Sequence, residues 1–218
     1  LSLQGAVSLG DYIYTSNPEF TQMIDNSATD VVHSRVNWKG MKVESTPQIA
    51  INVGLNFRGP NNWFASVDFN YYDRLYLSMN PMYRTEYLAN EIKRIYDWNN
   101  LETGRQKAYV VGIIDEIRQQ EDLGNAYTLS ASIGKNFRIK YKYTLGFSLQ
   151  VNNILNNQRI RTGGYEQMRL NKLSDPIIFP NADGEMVITK KPTTYSRFDS
   201  KYFYMNGINY YLNIYFRF

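Results

Sequence analysis

Along six separate stretches of this chain, apolar side chains fall on every second residue. A period of two is the mark of an extended strand with two unlike faces. The clearest case runs from Thr46 to Arg58. Ile49, Ile51, Val53, Leu55 and Phe57 share one parity, and Gln48, Ala50, Asn52, Gly54, Asn56 and Arg58 share the other. The turn Gly59-Pro60-Asn61-Asn62 follows, and then Trp63, Ala65, Val67, Phe69, Tyr71, Leu75 and Leu77 alternate with Ser66, Asp68, Asn70 and Arg74. The two stretches predict an antiparallel hairpin. Leu1, Leu3, Val7, Leu9 and Ile13 give the same pattern upstream, broken by Asp11. Downstream it returns in Tyr127–Ile139, in Tyr143–Leu155 and in Ile208–Phe218.

The second face narrows the choice of fold. A soluble sandwich strand turns Lys, Glu and Thr toward water. Here the second face is mostly Asn, Ser, Gly, Gln and Tyr, which suits a crowded, wet barrel interior, while the continuous apolar face suits lipid. The connections agree. Those after strands two and four are short, at Gly59–Asn62 and around Lys140–Lys142. Those after strands one, three and five are long, about Ser16–Lys39, Met79–Gly124 and Arg159–Lys201. Outer-membrane barrels have short periplasmic turns and long extracellular loops. Odd strands therefore run outward, even strands inward, and Phe218 ends on the periplasmic side. The second strand is expected to begin further out, through Trp38–Val43. Phe57, Trp63, Phe137, Tyr143, Phe216 and Phe218 gather near the short turns, as a headgroup-level girdle would; in a soluble sandwich the same spacing would be core.

Within the longest loop the period changes. Leu88, Ile92 and Ile95, then Val110, Ile113, Ile114 and Ile117, are spaced for helices, predicted near Glu86–Trp98 and Gln106–Glu121. The expected fold is therefore all-β: an antiparallel transmembrane β-barrel segment of about six strands, with long extracellular loops, one of them partly helical. Six strands do not close a barrel in lipid, where single-chain barrels have about 8 or more. Two strands are hidden in the loops, or the chain is the C-terminal part of a larger barrel. Leu1 falls inside a strand pattern with no lead-in, which favours the larger barrel; one of about 22 strands carries a plug and transports actively.

Composition excludes other classes. The 218 residues include Tyr 19, Phe 11 and Trp 3, no cysteine and a single histidine, His33. Disulfide scaffolds, thiolate metal sites and cysteine nucleophiles are out. Mean hydropathy is -0.47 and no run approaches 18 apolar residues, so no transmembrane helix is expected. A net charge of +4 with interspersed signs does not argue for nucleic acid.

The C-terminal run Asn206-Gly207-Ile208-Asn209-Tyr210-Tyr211-Leu212-Asn213-Ile214-Tyr215-Phe216-Arg217-Phe218 resembles the closing strand of a TonB-dependent outer-membrane receptor. Gly146–Asn156, with its Asn-hydrophobic-hydrophobic-Asn run, resembles the penultimate strand. Thr162–Arg169 and Phe198–Tyr204 resemble the last extracellular loop of Bacteroidota-type receptors; Thr46-Pro47-Gln48, Tyr71–Arg74 and Pro81–Thr85 fit the same group. The resemblance is specific over the last 80 or so residues and weaker before Thr46. It implies that Tyr210, Leu212, Ile214, Phe216 and Phe218 form the signal read by the barrel-assembly machinery. It implies TonB-coupled import of a scarce nutrient, in the outer membrane of a Gram-negative cell. The implied partners are outer-membrane lipid and lipopolysaccharide, the rest of the barrel and its plug, the TonB system, and a surface lipoprotein lid as a candidate. The plug and the TonB box are not represented in these residues.

Asp68, Asn70, Asn136, Gln150, Asn152 and Asn213 carry the polar parity and are candidates for contacts to a plug or solute; bonding to one another is the plainer role. Arg74, Arg84, Arg159, Arg161 and Arg169 fall near the expected outer mouth, where they would hold an anionic solute. Pairing with Asp73, Glu166 and Glu86 is the simpler expectation. No catalytic residue, metal or cofactor is expected. Two rival functions remain: a receptor-like barrel serving as a scaffold, and a small stand-alone barrel with a surface hydrolase site at His33, although no nucleophile elbow accompanies that histidine.

Overall fold

The computed structural model describes residues 1–24, 27–140, 142–168, 170–173, 177–180, 183–190 and 194–218. The chain is mostly β. Its main element is a six-stranded antiparallel sheet of β1 (Ser2–Leu9), β2 (Ile49–Arg58), β3 (Trp63–Asp73), β4 (Ala126–Ile139), β5 (Tyr143–Asn152) and β6 (Asn209–Arg217), neighbours in that order. Sequential strands pair, as short or locally returning connections dictate. Among the described residues the sheet is open: β1 pairs only with β2, and β6 only with β5.

Register carries the alternation across the whole sheet. Leu3 faces Leu55, Leu55 faces Val67, Val67 faces Ala131, Ala131 faces Val151, and Val151 faces Tyr210. Apolar parity thus stays on one face through six strands. On the other face Tyr215 registers with Gly146, and its hydroxyl donates to Asn136 Oδ1 at 2.8 Å, one strand further on. A Cβ on Gly146 would come within 2.4 Å of the Tyr215 ring, so a larger residue there would push the ring away from its bond to Asn136.

Strand ends follow backbone geometry. β3 stops at Asp73 because Arg74 takes φ 53°, and β5 stops at Asn152 because Asn153 takes φ 50°. The short turn between β2 and β3 uses Asn61 and Asn62 at φ 57° and 58°, a conformation asparagine tolerates. The expected outward extension through Trp38–Val43 does not form. Met41 N–H donates to Trp38 O at 2.9 Å, and Gly40 sits at φ 85°, so the segment turns instead; only Lys42 bridges, to Ile13.

The long connections fold on themselves. Helices α1 (Glu86–Ile95) and α2 (Gly104–Arg118) match the change of period. Thr85 caps α1, its hydroxyl accepting from Leu88 N–H at 3.1 Å. Thr103 and Gln106 form a capping box on α2. Two-stranded ribbons fill the rest: Glu19–Ile24 with Ser27–Arg35, Arg161–Tyr165 with Lys201–Tyr204, Leu170–Leu173 with Thr194–Arg197, and Ile177–Pro180 with Met186–Lys190.

The buried core lies in this loop unit. Tyr83, Leu88, Ile92, Val110, Ile114 and Ile117 pack together at 0–5% exposure. In the sheet Val53, Leu55 and Val67 are each 44% exposed. Among the described residues no second layer covers the sheet's apolar face.

Candidate functional site

The loop end of the sheet is organised by one carboxylate. Glu166 lies on the residue after the Arg161–Tyr165 strand, and its side chain is 1% exposed. Arg84, fully buried at the end of a 3-10 turn begun by Pro81, meets it with both terminal nitrogens: Nη1 to Oε2, and Nη2 to Oε1 at 2.7 Å. Arg197 adds Nη2 to Oε1 at 2.8 Å. Asn80 N–H donates to Oε2 at 2.7 Å. The remaining Arg84 donors reach Asn80 O at 3.2 Å and Gln119 O at 3.0 Å, leaving only Nε without a partner among the described residues. Such a fork-to-fork pair fixes geometry as well as charge. It joins the α1–α2 loop to the last loop, 82 residues apart in sequence.

Beside it opens a cavity of about 750 Å³, bordered by Glu116, Glu121, Asp122, Arg197, Phe198 and Tyr202 among others. Glu121 accepts from Ser200 Oγ at 2.9 Å and from the Tyr202 hydroxyl. Arg161 stands 3.6 Å from Glu121 and stacks on Tyr202, 4.1 Å from the ring centroid. The bond to Glu121, then burial, raises the Tyr202 pKa above its ordinary value, so the phenol stays protonated and donating. Tyr83 is raised chiefly by burial. Arg118 is pulled down, again chiefly by burial. A cavity lined in this way accepts hydrogen bonds from hydroxyl or ammonium groups.

The arginines singled out from sequence thus separate. Arg84 and Arg161 enter the Glu166 and Glu121 clusters. Arg74 sits at the loop end of β3, its N–H held by Asp73 Oδ1 at 2.8 Å and its Nε buried without a partner among the described residues. Arg159 is exposed on a separate turn, its N–H donating to Asn157 Oδ1 at 3.1 Å. Arg169 lies outside the described residues. Glu166 takes the pairing role expected of it; no ion pair joins Glu86 to an arginine among the described residues.

The polar face of the sheet is a ladder. Asn52 Nδ2 donates to Asn70 Oδ1 at 2.9 Å, and Asn70 Nδ2 to Thr128 Oγ1 at 3.5 Å. Ser66 bonds Ser132 at 2.9 Å and Asp68 at 3.3 Å. Gln150 donates to Asn152, and Asn152 to Asn209, both at 2.9 Å. Asn136 holds Tyr215, and Asn213 registers with Ser148. The candidates on this parity therefore lie on one surface; Gln150 and Asn152 bond each other, while Asp68, Asn70 and Asn136 bond other polar side chains of the sheet.

His33 Nδ1 meets Thr21 Oγ1 across a ribbon at 3.0 Å, while Ser34 Oγ accepts from Tyr87 N–H at 2.9 Å. Among the described residues no three Asp, Glu or His side chains converge as metal ligands. Arg197 and Tyr202 carry no periodic signal in the sequence, because their loop strands are only 4 residues long. No protein-family model, curated protein or solved structure matches the chain.

Proposed function

We propose that this chain is the C-terminal part of a TonB-dependent outer-membrane receptor barrel, six of about 22 strands, importing a scarce nutrient past a plug. The observation that carries the reading is the uncovered apolar face. A sheet must cover such a face with another layer or meet an apolar solvent, and Val53, Leu55 and Val67 stay 44% exposed. The opposite face is a wet Asn and Ser ladder, as a barrel lumen would be. The two unpaired edges also count, because lipid does not tolerate open edges and further strands must complete them. In this mechanism the outer mouth captures a polar solute, the plug contacts it, and TonB pulls on the plug from the periplasm. Lipopolysaccharide and a lipoprotein lid would face the loops. A scaffold role is the second reading, favoured by how fully the ladder side chains bond one another.

The test is the intact mass of the native membrane species containing this sequence. A barrel of that size has a mass on the order of 90 kDa before its plug. A species near 25.5 kDa sinks the receptor reading.

A further inference from the structure

Asp73 closes the loop end of the apolar face; the other charge on that face is Lys135. It interrupts the apolar parity of β4 between Ile133 and Phe137, and it registers with Trp63 on one side and Phe147 on the other. Its Nζ lies 4.8 Å from the centroid of Trp63 and 4.8 Å from that of Phe137. Phe147 completes the cup, edge-on to Trp63 and stacked on Phe137, with centroids 6.0 Å apart in each case. None of the ion pairs among the described residues involves Lys135. Ring faces attract an ammonium but do not accept its three N–H bonds as an oxyanion would.

Two further observations bear on what completes it. An apolar groove of about 310 Å³, lined by Phe57, Trp63, Phe64, Ala65 and Ile133, runs beside the ammonium and shares Trp63 with it. Charge is also segregated. Residues 1–10, 54–67, 134–148 and 208–218, around the short turns, hold Arg58, Lys135, Arg138, Lys140, Lys142 and Arg217 but neither Asp nor Glu. All 20 carboxylate side chains lie elsewhere.

We propose that Lys135, with Trp63, Phe137 and the adjoining groove, binds an anionic glycerophospholipid in the leaflet that meets the short turns. The ammonium takes the headgroup phosphate and the groove takes the start of an acyl chain. A free phosphate would satisfy the first half and leave the groove empty; an amphiphile satisfies both. The placement is also the affordable one, because a lipid-facing lysine is costly at the bilayer midplane and nearly neutral at its interface, which its long stem reaches. The inference rests on the proposed membrane reading of the apolar face.

The test uses the full-length protein in phosphatidylcholine vesicles titrated with brominated phosphatidylglycerol or brominated phosphatidylcholine. The part of the tryptophan quenching that disappears in Trp63→Phe reports on the site. The expected result is quenching of Trp63 at about fivefold lower phosphatidylglycerol than phosphatidylcholine, the factor one basic residue near an anionic surface supplies. Lys135→Met should equalise the two lipids, Lys135→Arg should keep the preference, and raised salt should weaken it. Equal quenching by both lipids in the wild type overturns the inference and leaves the membrane reading standing. A preference that survives Lys135→Met also overturns it. If neither lipid quenches Trp63, both fall together.

Discussion

The sheet and the helical loop unit use the same apolar residue types and treat them in opposite ways. In the loop unit Leu88, Ile92 and Val110 are 0–2% exposed, packed between two capped helices. In the sheet Leu3, Leu55 and Leu212 are 44–74% exposed, on a face that no other described element covers. The loop unit buries its apolar side chains against one another, as folding in water requires. The sheet's apolar face gains nothing from water and has no interior of its own. Side-chain chemistry alone does not decide which residues are buried; in the proposed membrane reading, the solvent each region meets decides it.

The difference can be broken at the loop unit first. Glu166→Ala leaves Arg84 buried and unpaired, and breaking such a pair costs about 3–5 kcal/mol. Limited proteolysis should then cut the α1–α2 loop while the sheet strands stay protected; equal protection of both regions would show the carboxylate is not the organiser. Val67→Lys sharpens the contrast from the other side. A cation at mid-strand on a lipid face costs about 2–4 kcal/mol in a bilayer. In detergent-free vesicles the folded yield should fall sharply, with loop-unit proteolysis unchanged in whatever folds. A neutral result would return the apolar face to water.

The smallest effect is on pH. The Tyr14 hydroxyl donates to Glu44 Oε2 at 2.7 Å. Burial, with that carboxylate, pushes its pKa up from 10.0 to about 12. Since the folded value is the higher one, the contact contributes fully below pH 10 and is lost as pH rises through about 12. Tyr14→Phe should remove the most alkaline step of the tyrosinate absorbance titration; a step that persists would assign it to another tyrosine.

The sheet was legible in the sequence because a period of two, held along a whole strand, fits little besides a two-faced strand. The two helices were legible for the same reason, Leu88, Ile92 and Val110, Ile114 being spaced for one face each. The ribbons were not, since strands such as Lys201–Tyr204 are too short to carry a period. Trp38–Val43 misled because its residue types suit a strand while Gly40, at φ 85°, turns the chain. At the loop end the partner of Glu166 was visible as a charge to be matched. That the match would be Arg84 and Arg197 together depends on contacts between residues 31 and 82 positions apart, which no local pattern encodes. Lys135 interrupts the alternation of its strand, and its contacts to Trp63 and Phe137 depend on a neighbouring strand and on the next same-face residue of its own.

The fit of Tyr215 over Gly146 has a consequence for assembly. Alternation guards a strand against slipping by one residue, because that slip turns every apolar side chain to the wrong face. It is blind to a slip of two. Sliding β6 along β5 by two residues would set the Tyr215 ring opposite Thr144 or Ser148, each with a Cβ where Gly146 has none. The ring and its empty slot thus act as a registration key against the even-numbered slips that the pattern of the strand itself lets through.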